Sequence, residues 1–189
     1  MSTQPQKATE IAVIVGSLRA GSDNRKLAQA LVALAPSSLA FEFVEIGDLP
    51  LYNPDLDEGA PPAQWAAFRA SMAKAQAVLF VTPEYNRTVP AALKNAIDVG
   101  SRPYGQSIWS GKPAAVVTGS PGGIGGFGAN HVLRQSLVFL DMPAMQQPEA
   151  YVSHIADMFD ENGKVTSPDS EAFLNKIITA FAKWVDAHV

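Results

Sequence analysis

The chain has 189 residues, 47% of them hydrophobic and 17% charged, which suits one globular domain with a sizeable core and little disorder beyond its ends. A formal net charge of -4 without any basic run argues against a nucleic-acid partner, and the absence of cysteine rules out disulfides, thiolate catalysis and Cys-ligated metals. No apolar stretch approaches the roughly 18 residues of a membrane span and the polar start lacks a signal's apolar core, so a cytoplasmic location without a membrane partner is expected.

Residues 1–9 read as a flexible N-terminus. Ile11 to Val15 is a continuous apolar run ending at Gly16, as in a strand buried on both faces. Asn24 to Ala35 has apolar residues at helical spacing and stops before Pro36. The alternation continues with a strand over Phe41 to Ile46, a Pro-rich loop through Pro62, a helix over Gln64 to Ala75 and a strand over Ala77 to Thr82. A helix near Val89 to Val99, a strand over Ala114 to Thr118 and a helix around Asn130 to Leu140 follow. A short strand near Ala144 to Gln147 and a helix over Ser170 to Ala187 close the chain.

Strands alternating with helices imply a parallel sheet covered on both faces. Right-handed crossovers then favour the doubly wound order 2-1-3-4-5. The expected architecture is a flavodoxin-like α/β three-layer sandwich, with residues 1–189 forming a single domain. Asp157 to Lys164 resembles part of a calcium loop but lacks its acidic alternation and terminal Glu, so Asn162-Gly163 reads as a turn.

The segment from Gly16 to Asn24 joins the first strand to the first helix, whose N-terminus offers free N–H groups to an anion. Ser17, Ser22 and Asn24 are short donors, and Arg19 is a permanent cation able to grip a phosphate by two bonds. The plainer reading makes Ser22 and Asn24 helix caps and Arg19 a solvated surface charge. Lacking Gly-x-x-x-x-Gly-Lys-Ser/Thr, the loop suits one terminal phosphate, such as that of FMN.

After the third strand, Pro83-Glu84-Tyr85-Asn86 falls at the same sheet edge and offers backbone donors and an aromatic surface to a flat ring. There too a plainer reading exists, in which Tyr85 is an exposed loop aromatic and Glu84 a surface charge. Thr118-Gly119-Ser120-Pro121-Gly122-Gly123 leaves the fourth strand with little bulk, letting backbone approach a ring closely. Gly123 to Gly128 matches Gly-x-Gly-x-x-Gly, with Glu149 some twenty residues on, but that dinucleotide fingerprint normally opens the first βαβ unit. His131, His154 and His188 are scattered and read as structural or surface residues, and no catalytic side chain or metal site is nominated.

These segments, with Pro90-x-x-Leu93-Lys94-Asn95-Ala96-Ile97-Asp98 and Leu133-Arg134-Gln135, resemble the NADPH-dependent FMN reductase family in its bacterial soluble quinone and chromate reductase branch. The resemblance covers about residues 10 to 150. It implies that Ser17, Arg19, Ser22 and Asn24 hold the phosphate, with Gly16, Leu18 and Asp23 in the same cofactor loop. It assigns the flavin ring to Pro83, Glu84, Tyr85, Asn86, Gly119, Ser120 and Gly122.

The activity so implied is ping-pong hydride transfer from NADPH or NADH through bound FMN to quinones, chromate, azo compounds or free flavins, in a homodimer or homotetramer. Two departures from the family pattern are Val99, where relatives carry an aromatic, and Gly119, where they often carry Ser. The alternatives are a flavodoxin-like electron carrier, which the weak net acidity disfavours, and a flavin-binding redox sensor without turnover.

Overall fold

The computed structural model describes residues 7–189. The flexible segment expected at the N-terminus lies outside the described residues up to residue 6, and Thr9 already belongs to the first strand. That strand, β1 (Thr9–Val15), has its apolar run buried on both sides because successive residues face opposite layers. Ile11, Val13 and Val15 pack with α1 (Asp23–Ala33) and α6 (Pro168–Asp186). Ala12 and Ile14 pack with α3 (Ala63–Lys74), α4 (Ala91–Gly100) and α5 (Phe127–Phe139). The result is the expected three-layer sandwich.

The remaining strands are β2 (Leu39–Phe43), β3 (Ala77–Thr82), β4 (Ala114–Gly119) and β5 (Ala150–Val152). All pairs are parallel, and the order is β2-β1-β3-β4-β5, as the crossover rules predict. The register decides where function can sit. Val15 lies opposite Val81, Thr82 opposite Thr118 and Gly119 opposite Val152, so three central strands and the edge strand end at one level. The loops that follow β1, β3 and β4 therefore leave from a single rim.

Two strands differ from their predicted positions. β2 starts and ends earlier: Leu39 pairs with Thr9, Val44 gives one more N–H to Val13 O at 2.9 Å, and Ile46 and Leu49 then turn into the α3–α4 layer. The segment predicted as the fifth strand makes only a single bridge, Ala144 to Ala114, with Met145 N–H donating to Ala114 O at 2.8 Å. Pro148 has no N–H to extend the ladder, and pairing resumes at Ala150. The Asn162-Gly163 turn forms as predicted: the Asp160 carboxylate accepts the N–H groups of Asn162 and Lys164, both at 2.9 Å.

The Pro-rich loop contains a short helix, α2 (Pro54–Asp57), clamped from two directions. The buried Asn95 accepts the Tyr52 N–H at 2.8 Å and donates to the carbonyls of Leu49 and Pro50. Arg69 forms a two-bond ion pair with Asp57, both at 2.8 Å, donates to Val99 O at 3.0 Å and lies over the Trp65 ring. Val99 itself is buried in the core that α4 shares with α3 and α5.

Hydrogen bonds from Arg69 hold the Asp57 carboxyl below its usual range against the opposing effect of burial. Arg69→Met, which leaves Asp57 unpaired, should destabilise the protein by about 3 kcal/mol at neutral pH. Because the folded-state value is depressed, the stabilisation is complete above the unfolded carboxylate pKa of about 4 and is lost as pH falls through the lower folded value. Urea titrations of both proteins across that range should show the gap between them closing on acidification.

Candidate functional site

The loop from Gly16 to Ser22 leaves β1 and delivers the chain to the N-terminus of α1. Gly16 passes the end of β3 so closely that a Cβ there would lie 2.1 Å from Thr82 Oγ1. Ser22 caps α1: its side chain accepts the Arg25 N–H at 3.2 Å, as the capping reading predicts. That bond leaves the N–H groups of Asp23 and Asn24, in the first turn, without intrahelical partners, and the helix dipole adds positive potential beside them. The Asp23 carboxylate turns away to Lys26 Nζ at 3.1 Å.

Arg19 is exposed and makes no ion pair among the described residues. Its guanidinium flanks a cleft that also takes in Ser17, Ser22 and Asn24 from the first loop. From the second loop come Pro83, Glu84 and Tyr85, and from the third Gly119 and Ser120. Ten of the sequence-predicted residues thus meet around one space, counting Asp23. Gly16 and Leu18 line an adjoining apolar groove, which shares Arg19 and Tyr85 with the cleft. Asn86 and Gly122 line neither: Asn86 forms the tip of a tight turn, and Gly122 donates its N–H to Ser120 Oγ at 3.1 Å.

Asn24 ties the first loop to the third. Its Nδ2 donates to Gly119 O at 3.2 Å, and its Oδ1 is buried at the cleft without a hydrogen-bond partner. A buried acceptor left in this state has a cost that a ligand hydroxyl or N–H would remove. Behind Gly119 stands Ile155, whose Cδ1 would lie 2.3 Å from a Cβ at that position. Ile155 opens a 3-10 turn (Ile155–Met158) and lines the cleft with no mark in the sequence, and Pro121, within the predicted third loop but not among its nominated residues, lines it too. Ile155 is placed by its own N–H bond to Ser120 O at 3.1 Å.

The glycine-rich match at Gly123 to Gly128 serves packing. A Cβ at Gly125 would come within 2.7 Å of the Tyr151 backbone, and one at Gly126, where φ is 80°, within 2.8 Å of Thr118 Cβ. The helix terminus that a pyrophosphate would use already receives a carboxylate: Glu84 Oε2 accepts the Ala129 N–H at 3.1 Å. The plainer reading of Glu84 as a surface charge therefore does not hold, whereas Tyr85 is indeed about half exposed. The three histidines stand apart from the cleft lining: His131 bonds Tyr151 OH, His154 is exposed and His188 stacks on Trp184.

Donors at a helix N-terminus, two serines, an uncommitted guanidinium and an orphaned buried amide oxygen fit a monophosphate bearing a hydroxylated chain. The bare backbone at Gly119 and the Pro83-to-Tyr85 surface fit a flat ring beyond it. In comparisons with known proteins, the family model for NADPH-dependent FMN reductase matches residues 9–157. A quinone reductase of Pseudomonas putida is 63% identical over 175 residues, covering 93% of this chain and 94% of the relative. A 2-hydroxy-1,4-benzoquinone reductase of a Burkholderia species is 47% identical, covering 94% and 97%. Among solved structures, the Paracoccus denitrificans flavoenzyme FerB, an NAD(P)H:(acceptor) oxidoreductase, superposes with a TM-score of 0.90 at 42% identity, covering 96% of this chain and 99% of its own.

Gly119→Ala tests the third loop. It should cost about 1–2 kcal/mol, since the buried Ile155 must shift, and clearly less in an Ile155→Val background that lacks Cδ1. A double-mutant cycle from denaturant unfolding measures the difference; equal costs in both backgrounds would show that Ile155 does not set the fit.

Proposed function

The chain belongs to the NADPH-dependent FMN reductase family, and from that premise and the cleft's geometry we propose that it is an FMN-dependent NAD(P)H oxidoreductase acting on quinones. Bound FMN would supply the two-electron hydride-transfer chemistry between a nicotinamide and an acceptor. The observation that carries this reading is the Asn24–Gly119 junction, where a buried amide oxygen without a partner belongs to a residue that lines the same cleft as Arg19.

In this reading the protein binds and orients. Ser17, Ser22, Arg19 and the first-turn N–H groups of α1 neutralise the phosphate, and Asn24 Oδ1 accepts a hydrogen bond from the sugar-alcohol chain. Backbone from Pro83 to Tyr85, with Gly119 and Ser120, receives the ring; Asn86 shapes the turn that carries Tyr85, and Gly122 supports Ser120 through its N–H. Tyr85 and the neighbouring apolar groove offer a flat surface to nicotinamide and quinone in turn, the order of a ping-pong reaction. Chromate, azo compounds and free flavins fit the same open rim as secondary acceptors.

Residues 7–189 work in this proposal as one cytoplasmic domain assembled into a homodimer or homotetramer. Among the described residues no helix is long and apolar enough to cross a membrane. Val138 and Phe139, adjacent on α5 and about 80% exposed, support association, which light scattering on the purified protein would measure.

The purified protein should be yellow, and anaerobic mixing with NADPH in stopped flow should bleach its flavin absorbance at a rate compatible with quinone turnover. A colourless protein that takes up no FMN at micromolar concentration would overturn the proposal. Arg19→Ala should weaken FMN by roughly 1.5–3 kcal/mol with the fold intact, read by fluorescence titration. An unchanged affinity would remove Arg19 from the phosphate site.

A further inference from the structure

We propose that Glu84 is a positioning residue: its carboxylate fastens the loop after β3 to the first turn of α5 and so sets the gap between the ring-facing loop and the glycine-rich loop. The consequence for the cofactor rests on the FMN reading above, whereas the fastening itself is a property of the protein alone.

The Glu84 side chain is only 12% exposed, and both of its oxygens are engaged within the protein. Oε2 accepts the N–H of Ala129 at 3.1 Å, and Oε1 accepts Arg87 Nη1 at 3.1 Å. Ala129 is the third residue of α5, and its N–H is one of those a helix cannot satisfy from within. A residue at the helix cap ordinarily supplies the acceptor. Here the cap is Gly126, which has no side chain, and the first turn of α5 carries no acidic residue. Glu84 fills that role from 45 residues away, at the positive end of the helix dipole.

The two segments also meet without spare room. A Cβ on Gly128 would lie 2.8 Å from Glu84 Oε2 and 2.7 Å from Arg87 O, so the first turn of α5 is bare where the loop rests on it. The loop itself is a tight turn in which Tyr85 and Thr88 exchange two backbone hydrogen bonds of 2.9 Å. Its two central residues, Asn86 and Arg87, have φ of 51° and 64°. That left-handed region is unfavourable for a non-glycine residue such as Arg87, whose guanidinium pairs with Glu84 Oε1 at 3.1 Å. One carboxylate therefore ties a strained turn to a helix terminus. Tyr85, inside that turn, lines the cleft, as do Gly119 at the end of β4 and Ser120 just after it, on the segment that leads toward α5.

The test compares three substitutions that separate reach from charge. Glu84→Gln keeps the length and an acceptor oxygen; Glu84→Asp keeps the charge but falls short; Glu84→Ala removes both. In the apoprotein, amide exchange followed by NMR should speed up about tenfold or more at Ala129 and at Thr88 in the Ala and Asp variants, and stay near wild type in the Gln variant. FMN affinity, titrated by fluorescence, should fall about tenfold in the same two variants and within about threefold of wild type for Gln.

Unchanged protection of Ala129 in Glu84→Ala would overturn the fastening. The reverse pattern in FMN affinity, with Asp retaining and Gln losing it, would overturn the positioning role in favour of a direct effect of charge on the flavin. Failure of the wild-type protein to bind FMN would sink the functional reading instead, and the exchange data on the apoprotein would still decide the fastening.

Discussion

The hydrogen bond from Asn24 Nδ2 to Gly119 O is the point through which the rest of the cleft is built. It joins the first turn of α1 to the end of β4 across 95 residues of sequence, and it does so in a buried position where a lost bond would leave a carbonyl unsatisfied. One hydrogen of the amide is committed to Gly119, and the oxygen on the same side chain is buried without a partner. The absence of a side chain at Gly119 is part of the same arrangement: Ile155 and Asn24 close in from two sides and leave no space for a Cβ. A structural bond thus leaves an unpaired acceptor beside it.

That bond is possible because parallel strands end level. In a doubly wound sheet the loops at the carboxyl edge diverge on either side of the switch point between β1 and β3, and a ligand settles in the gap. Here the gap has a polar end, formed by the serines, Arg19 and the terminus of α1, and a flatter end beside Pro83 and Tyr85. The protein as a whole is only weakly acidic, so the proposed phosphate contact would depend on local donors and the Arg19 guanidinium rather than on a long-range field. Aspartates nearby do not spoil this, since Asp23 is neutralised by Lys26 within its own helix turn.

The glycine-rich stretch before α5 shows how one pattern can serve a different end. In a dinucleotide fold such glycines let a pyrophosphate reach a helix terminus. In this chain they let α5 pack against Thr118, Tyr151 and the Arg87 backbone, and the helix terminus is answered internally by Glu84. The helix N-terminus that borders the cleft is that of α1.

Much of this was legible from residues that act locally. The apolar run from Ile11 to Val15, the alternation of strands and helices and the handedness of crossovers lead to the observed strand order. Ser17, Arg19, Ser22 and Asn24 are recognisable because a helix N-terminus after a buried strand needs donors and caps within a few residues of itself. The fifth strand was misplaced because Ala144 to Gln147 has the right composition, yet Pro148 and the pairing available along β4 moved the ladder to Ala150. That displacement in turn positions the turn bearing Ile155, so no local signal marks Ile155 as part of the cleft. Nor does any marker in Pro83-Glu84-Tyr85-Asn86 say that the carboxylate faces α5 and not the solvent. Local chemistry along the chain was enough to choose the fold and to mark the donor-rich loop before α1; which distant side chains meet, and which way each one points, depended on strand register and helix packing, because those contacts exist only once the layers close.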